Sequence, residues 1–258
     1  MKLLIIRHGD PDYGHDCLTP AGKEEARLLA RWLEQQDVTA IFSSPLGRAK
    51  ETADITAAKK AMDVTVLPWL REFPAKLRYW ETEALKEACP CPWATSFFDR
   101  ERVMWDILPS YWTADPDFYH PTNWRRTEPC AHSDMTEVYD RVTGEFDAFL
   151  AACGYLREGN LYRAERPNED TVILFCHFGV ECVILGHILN ISPMQLWQGT
   201  CAAPSSVTVL RTEERREGIA YFRMSTFGDT SHLYAGGMEP AFSARFCETY
   251  ANESQRHD

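Results

Sequence analysis

A chain of 258 residues is long enough to bury a substantial core, and it fits one elaborated domain better than two complete ones. Hydrophobic residues at 45% and charged residues at 25% make an ordinary globular composition and exclude global disorder. The formal net charge of -11 opposes non-specific attraction to nucleic acid or anionic lipid, so neither is expected as a partner and any anion site must be local.

Met1 to His8 carries one Lys and an apolar run that is too short for a secretory leader and has no small-residue cleavage site. The one long apolar stretch, Val172 to Leu189, contains His177, Gly179, Glu181 and His187, so it reads as a buried strand turning into a helix rather than a membrane span. Nine cysteines at scattered spacing, with no export signal, read as reduced thiols, and a cytoplasmic location is the expectation. Cys89, Cys91, His120, Cys130 and His132 cluster in sequence, but their spacing matches no usual zinc pattern, and no metal site is expected there.

In chain order, Lys2 to Ile6 is a short apolar run with β-branched residues, read as a buried strand that ends at a Gly- and Pro-containing loop. Thr19-Pro20 is a cap followed by a first-turn proline, and Ala26, Leu29, Ala30 and Leu33 then recur at helical spacing to about Gln36. Thr39 to Phe42 reads as a second strand, Ser44-Pro45 as the start of a helix reaching about Ala61, and Val64 to Leu67 as a third strand. From Phe73 to about Ser133 the pattern breaks. Prolines recur, and Trp80, Trp93, Trp105, Trp112 and Trp124 sit among polar residues, either as a satellite core or as a stacking surface. Residues 74–133 are therefore expected to form an inserted lid or subdomain within a single 1–258 domain. Asp134 and Glu137 read as a capping box for a helix carrying Val138, Val142, Phe146, Phe149 and Leu150. Thr171 to Cys176 is a fourth strand, Val180 to Leu189 a helix, and Ser206 to Leu210 with Ile219 to Met224 a final strand pair. This alternation predicts an α/β fold with a mostly parallel central sheet flanked by helices, its functional loops at the strand ends.

Three separated segments put anion-handling groups at such loops: Arg7-His8-Gly9, Arg48 near the start of the second helix, and His177 after the fourth strand. A phosphomonoester carries about -1.5 to -2 charges at pH 7, and arginine forks match its oxygens. A neutral imidazole is a competent nucleophile near that pH, which fits His8, and Glu72 is the best-placed carboxyl to protonate a leaving oxygen. Taken singly, each residue has an ordinary alternative. Arg48 would pair with Glu51 or Glu24 on the surface, Glu72 would be solvated, and His177 would be a satisfied core histidine.

Taken together, LLIIRHG at 3–9, LTPAGKEEA at 18–26, IFSSPLGRAKETA at 41–53, LREF at 70–73 and VILFCHFG at 172–179 resemble, in order, the histidine phosphatase superfamily, the phosphoglycerate mutase-like group. The resemblance implies a phosphoglycerate mutase-like fold and no cofactor. It makes His8 the nucleophile, Arg7, Arg48 and His177 the phosphate pocket, and Glu72 the proton donor, with Glu81 and Glu83 as alternatives beyond the start of the insertion. Mutases of the group usually continue the RHG motif with Glu-Thr or Glu-Ser and a later Asn. Here the chain reads Asp10-Pro11-Asp12-Tyr13-Gly14, a thinner phosphate pocket that fits hydrolysis better than re-donation to a bound product. Phe178 also separates His177 from Gly179, where many relatives have His-Gly directly. The expected activity is hydrolysis of a small phosphomonoester through a phosphohistidine on His8. The alternatives are a phosphoglycerate mutase-type transferase or a non-catalytic phospho-ligand binding module. Substrate identity and oligomeric state are not legible in the sequence.

Overall fold

A computed structural model describes residues 1–89, 102–241, 249 and 251–252. The chain opens with β1 (Lys2–Arg7), the short strands β2 (Pro11–Asp12) and β3 (Cys17–Leu18), α1 (Pro20–Glu34), β4 (Ala40–Ser43), α2 (Gly47–Lys60) and β5 (Val64–Val66). Short helices α3 (Glu83–Ala88), α4 (Pro109–Trp112) and α5 (Glu128–Ala131) precede the long α6 (Met135–Ala152). Then come β6 (Tyr155–Glu158), β7 (Leu161–Ala164), β8 (Thr171–Cys176), α7 (Phe178–Leu189), α8 (Pro193–Gly199), β9 (Val207–Arg216), β10 (Ile219–Asp229) and α9 (Ser231–Ala235).

An eight-stranded sheet in the order β5-β4-β8-β1-β9-β10-β7-β6 organises the fold. Strands β5, β4, β8 and β1 pair in parallel, and antiparallel pairings extend the sheet from β9 to β6. Following those pairings, six of the eight strands run in one direction, the mostly parallel α/β class that the sequence predicts. Leu3 to Arg7 of β1 and all of β8 are buried, which explains why both read as unbroken apolar runs without alternation. Thr19 caps α1 by accepting the Gly22 N–H at 3.0 Å, and Leu29 and Leu33 face a core with Leu4, Ile6, Ile41, Ala53, Ile173 and Phe175. Burying a side chain of this kind stabilises the fold by roughly 1.5–3 kcal/mol.

The second helix corrects the sequence reading by two residues: α2 begins at Gly47 after Leu46, not at Pro45, and the Ser44 hydroxyl accepts the Leu46 N–H at 3.2 Å in the turn before it. The start of α6 differs in a similar way. Ser133 Oγ accepts the Met135 N–H at 3.2 Å, while Asp134 Oδ1 accepts the Lys76 N–H at 2.7 Å, so the Asp134–Glu137 box does not form.

By packing, the chain divides into two units. The first comprises Met1–Glu72, Glu145–Glu181 and Cys201–Cys247, and holds the sheet. The second comprises Phe73–Gly144, Cys182–Thr200 and Glu248–Asp258, and is built on aromatic contacts. Trp197 packs against Phe73 at 5.3 Å and Trp105 at 5.5 Å, and the fully buried Trp124 meets Tyr139 at 4.9 Å between ring centroids. These rings supply the apolar area that a proline-rich segment with few aliphatics otherwise lacks. Trp93 and Cys91 lie outside the described residues. Among the described residues no group of three or more His, Cys, Asp or Glu is arranged to hold a metal ion, and no helix is long and apolar enough to cross a membrane.

Candidate active site

The parallel strands deliver their loops to one edge of the sheet. Arg7 of β1 stands in register with Cys176 of β8, and the His8 N–H donates to the Cys176 carbonyl at 3.0 Å, so His8 and His177 leave adjacent strands side by side. The Ser44 N–H donates to the Phe175 carbonyl at 2.8 Å, bringing the start of α2 alongside on the far side of β8. The Leu67 N–H donates to the Ser43 carbonyl at 2.9 Å, and a short turn at Pro68–Leu70 then leads to Glu72. Ligand sites of open α/β sheets gather at this edge.

Arg7, His8, Arg48 and His177 are all buried, His177 completely. The two imidazoles lie 5.0 Å apart between centroids. His8 Nδ1 is 2.7 Å from the Gly9 carbonyl oxygen, which only accepts, so Nδ1 carries the proton and Nε2 holds a lone pair. The Arg48 Nε–H points at that Nε2 from 3.3 Å, consistent with the same tautomer. His177 Nε2 is 2.8 Å from Ser44 Oγ, and its Nδ1 has no hydrogen-bond partner among the described residues. Burial holds the His8 imidazole well below the usual histidine range, and the Arg7 and Arg48 charges add to the effect. His177 is lowered likewise, by burial first and then by its proximity to His8, Arg48 and Arg7. Both rings are therefore neutral across the physiological range.

Arg7 donates from Nη1 to the Ala202 carbonyl, and its guanidinium sits 5.8 Å from the centroid of Phe178, the residue inserted between His177 and Gly179. Arg48 does not pair with Glu51 or Glu24. Its Nη1 donates to Asp16 at 2.6 Å, while Glu51 binds Lys23 at 3.1 Å and Glu24 binds Arg27 at 2.9 Å. Glu72 is half-buried at the start of α7, where its Oε1 accepts the Val180 N–H at 3.3 Å. Burial of this first unit's polar loops is completed by two close approaches. An added Cβ on Gly22 would fall 2.2 Å from the Asp10 carbonyl oxygen, and one on Gly47 would fall 2.1 Å from that of Asp16, so each loop needs glycine where it crosses a helix.

Glu81 and Glu83 belong to the second unit. There Glu81 binds His132 at 2.6 Å and Arg78 at 2.8 Å, and Glu83 binds Lys86 at 2.6 Å. Sequence reasoning did not place Asp16, Ser44 or Thr52 at the site; the Thr52 hydroxyl accepts the Gly9 N–H at 3.1 Å. Ser44 and Thr52 lie inside the quoted motif at 41–53 and have no charge to draw notice, and Asp16 sits in a loop without periodicity.

Part of the chain, and its fold, resemble known proteins. The model of the histidine phosphatase superfamily (branch 1) matches residues 3–103, a segment that contains Arg7, His8, Arg48 and Glu72 and stops short of His177. The probable phosphoglycerate mutase GpmB of Photorhabdus laumondii is 30% identical over 81 residues, which cover 28% of this chain and 38% of that protein. Its counterpart in Yersinia enterocolitica is 28% identical over 99 residues, 35% of this chain and 45% of that one. The matches thus span less than half the length of these relatives. Among solved structures, a mycobacterial glucosyl-3-phosphoglycerate phosphatase with inorganic phosphate superposes with a TM-score of 0.57 at 20% identity, covering 90% of this chain and 99% of that chain. A phosphoserine phosphatase from Entamoeba histolytica superposes with a TM-score of 0.55 at 18% identity, covering 90% and 98%. At these identities the superpositions speak to the fold, which they share over nearly its whole length. Over residues 3–103 the chain resembles the histidine phosphatase superfamily (branch 1), and over nearly its whole length it shares the fold of these phosphatases.

Proposed function

We propose that this protein is a phosphatase that hydrolyses a small phosphomonoester through a phosphohistidine on His8. The observation that carries this reading is the tautomer of His8. Its buried ring is neutral, its proton is committed to the Gly9 carbonyl, and its Nε2 lone pair accepts the Arg48 Nε–H at 3.3 Å, a contact that an incoming phosphoryl group would replace. In the first half-reaction Nε2 attacks phosphorus, the bond from phosphorus to the leaving oxygen breaks, and Glu72 gives its proton to that oxygen. Arg7, Arg48 and the Nδ1 side of His177 stabilise the charge that grows on the phosphoryl oxygens. In the second half Glu72 takes a proton from water, which attacks the phosphohistidine and returns His8 to its starting form with release of inorganic phosphate. These groups supply the nucleophile, the proton and the charge stabilisation, so no metal is called on.

Hydrolysis is favoured over mutase action by the loop after Gly9, which reads Asp10-Pro11-Asp12-Tyr13-Gly14 and lacks the Asn of the mutases, although the relatives by sequence bear the mutase name. The test is phosphate release from a phosphomonoester panel in excess chelator, compared with His8→Ala. The expected result is chelator-resistant release that falls below about one thousandth in the variant, as loss of a nucleophile does elsewhere. Isomerised phosphoglycerate with little free phosphate would instead make the protein a mutase. Binding without turnover would make it a phospho-ligand module.

A further inference from the structure

The hairpin that follows the nucleophile folds back onto α2. Strands β2 and β3 pair Pro11 with Leu18 and Asp12 with Cys17, and at the tip Asp16 adopts a left-handed conformation, φ +48°. Its carboxylate is engaged twice. Oδ2 accepts the Gly47 N–H at 2.7 Å, and Oδ1 accepts from Arg48 Nη1 at 2.6 Å. The Asp16 backbone lies so close to Gly47 that no side chain fits there, so the register of hairpin against helix is fixed. Tyr13, from the same tip, sets its ring 5.3 Å from the centre of the same guanidinium.

An arginine side chain has four soft torsions, and a charged hydrogen bond to one end of its fork removes much of that freedom. With Nη1 held by Asp16 and Nε directed at His8 Nε2, the Arg48 fork is anchored at two of its nitrogens, which leaves Nη2 as the donor not engaged by either contact. A hydrogen bond from Nε to the nucleophile alone would leave the fork free to swing about it. We infer that Asp16 is the positioning residue for Arg48, acting through it on the transition state rather than touching substrate. This rests on the reading of His8 as the phosphoryl acceptor.

A residue of this kind affects the pentacoordinate transition state more than the bound ground state. In Asp16→Ala, kcat with p-nitrophenyl phosphate is expected to fall about 30- to 100-fold while KM changes less than about threefold, the scale seen when a catalytic group is displaced by a fraction of its reach. Vanadate affinity, measured by calorimetry, should fall in parallel with kcat, and inorganic phosphate affinity should stay within about threefold. Asp16→Asn keeps an oxygen acceptor for Nη1 and should recover most of both losses. In an Arg48→Ala background Asp16→Ala should add less than about twofold, since the two act as one unit.

Unchanged vanadate affinity would overturn the assignment, as would tighter phosphate binding in Asp16→Ala, which would make the carboxylate a competitor for the anion. An equal loss with and without Arg48 would also overturn it, by making the role purely structural. If Asp16→Ala does not fold, the comparison of Asp16→Asn with and without Arg48 carries the same decision on a smaller scale. Turnover by the wild type without the vanadate pattern removes the assignment and keeps the phosphatase reading. The vanadate pattern without turnover keeps the assignment and removes the hydrolysis.

Discussion

A histidine attacks phosphorus only through an unprotonated ring nitrogen, and in His8 the Gly9 carbonyl holds the proton on Nδ1 and leaves Nε2 as the unprotonated one. Ordinary imidazole would lose its lone pair to a proton near pH 6.5. Burial, with Arg7 and Arg48 nearby, lowers His8 well below that value, so on the proposed mechanism its Nε2 keeps its lone pair as the medium becomes acidic. The sign follows directly: a depressed histidine pKa moves the acid limb of kcat/KM downward. After correction for the substrate's own second ionisation near about 6, kcat/KM should hold level through pH 6.5 and fall only at lower pH. A limb centred near 6.5 that belongs to the enzyme would show that His8 or His177 is more solvated than the buried geometry implies. At the residue scale the sequence brings Arg7, His8, Arg48 and His177 to notice because each lies in a motif at a strand or helix end. It was blind to the tautomer, which depends on the path of a single carbonyl.

At the scale of elements, the first turn of α2 is built from parts of three loops. The helix has no side-chain cap from Leu46, and its leading N–H at Gly47 is satisfied by Asp16 instead. Ser44 Oγ links the turn to His177 at 2.8 Å while accepting the Leu46 N–H. Ser44→Ala removes both bonds, each with a net worth of about 1 kcal/mol. Loss of the His177 bond should lower kcat about five- to tenfold, since 1.36 kcal/mol is tenfold in rate, with thermal unfolding shifted by only a few degrees. A fall in thermal stability with unchanged kcat would assign Ser44 to the helix start alone. Ser44-Pro45 was readable as a helix signal because serine then proline is the common cap pattern. The actual start two residues later was not, because Ser44 spends its hydroxyl on a histidine more than a hundred residues away. The β6–β7 hairpin escaped for a different reason. Leu156, Arg157, Glu158 and Arg163 give neither alternation nor an apolar run at a sheet edge, while β1 and β8, covered on both faces, declared themselves.

At the scale of the whole molecule, the first unit buries histidines and carboxyls whose titrations oppose one another. Burial lowers His232 to about 4, and lowers His8 and His177 as well. Unfolding lets these rings take up protons below pH 6.5, so their burial makes stability rise with pH up to that value. Glu25 and Glu181 act in the reverse sense. Burial raises each to about 7, partly offset for Glu25 by the Asp10 and Ala241 N–H groups and for Glu181 by Thr208 and Arg7. The native state keeps their protons to about pH 7 while the unfolded chain releases them near 4.5, so stability contributed by the protonated forms is lost as pH rises through that window. Neither Glu181 oxygen has a hydrogen bond of good geometry among the described residues, so its ionisation in place is the less compensated of the two. Glu181→Gln keeps the shape and removes the titration. Relative to the wild type, the variant should gain about 2–3 kcal/mol between pH 5 and pH 8, the cost of a shift of this size evaluated over that window. Urea unfolding at the two pH values measures the difference directly. A constant offset between variant and wild type would mean that Glu181 ionises in the fold as readily as in the open chain, with the Arg7 charge offsetting the cost of burial. A growing gain would mean that the buried acid sets the alkaline side of the stability profile, beneath a site whose histidines set the acid side.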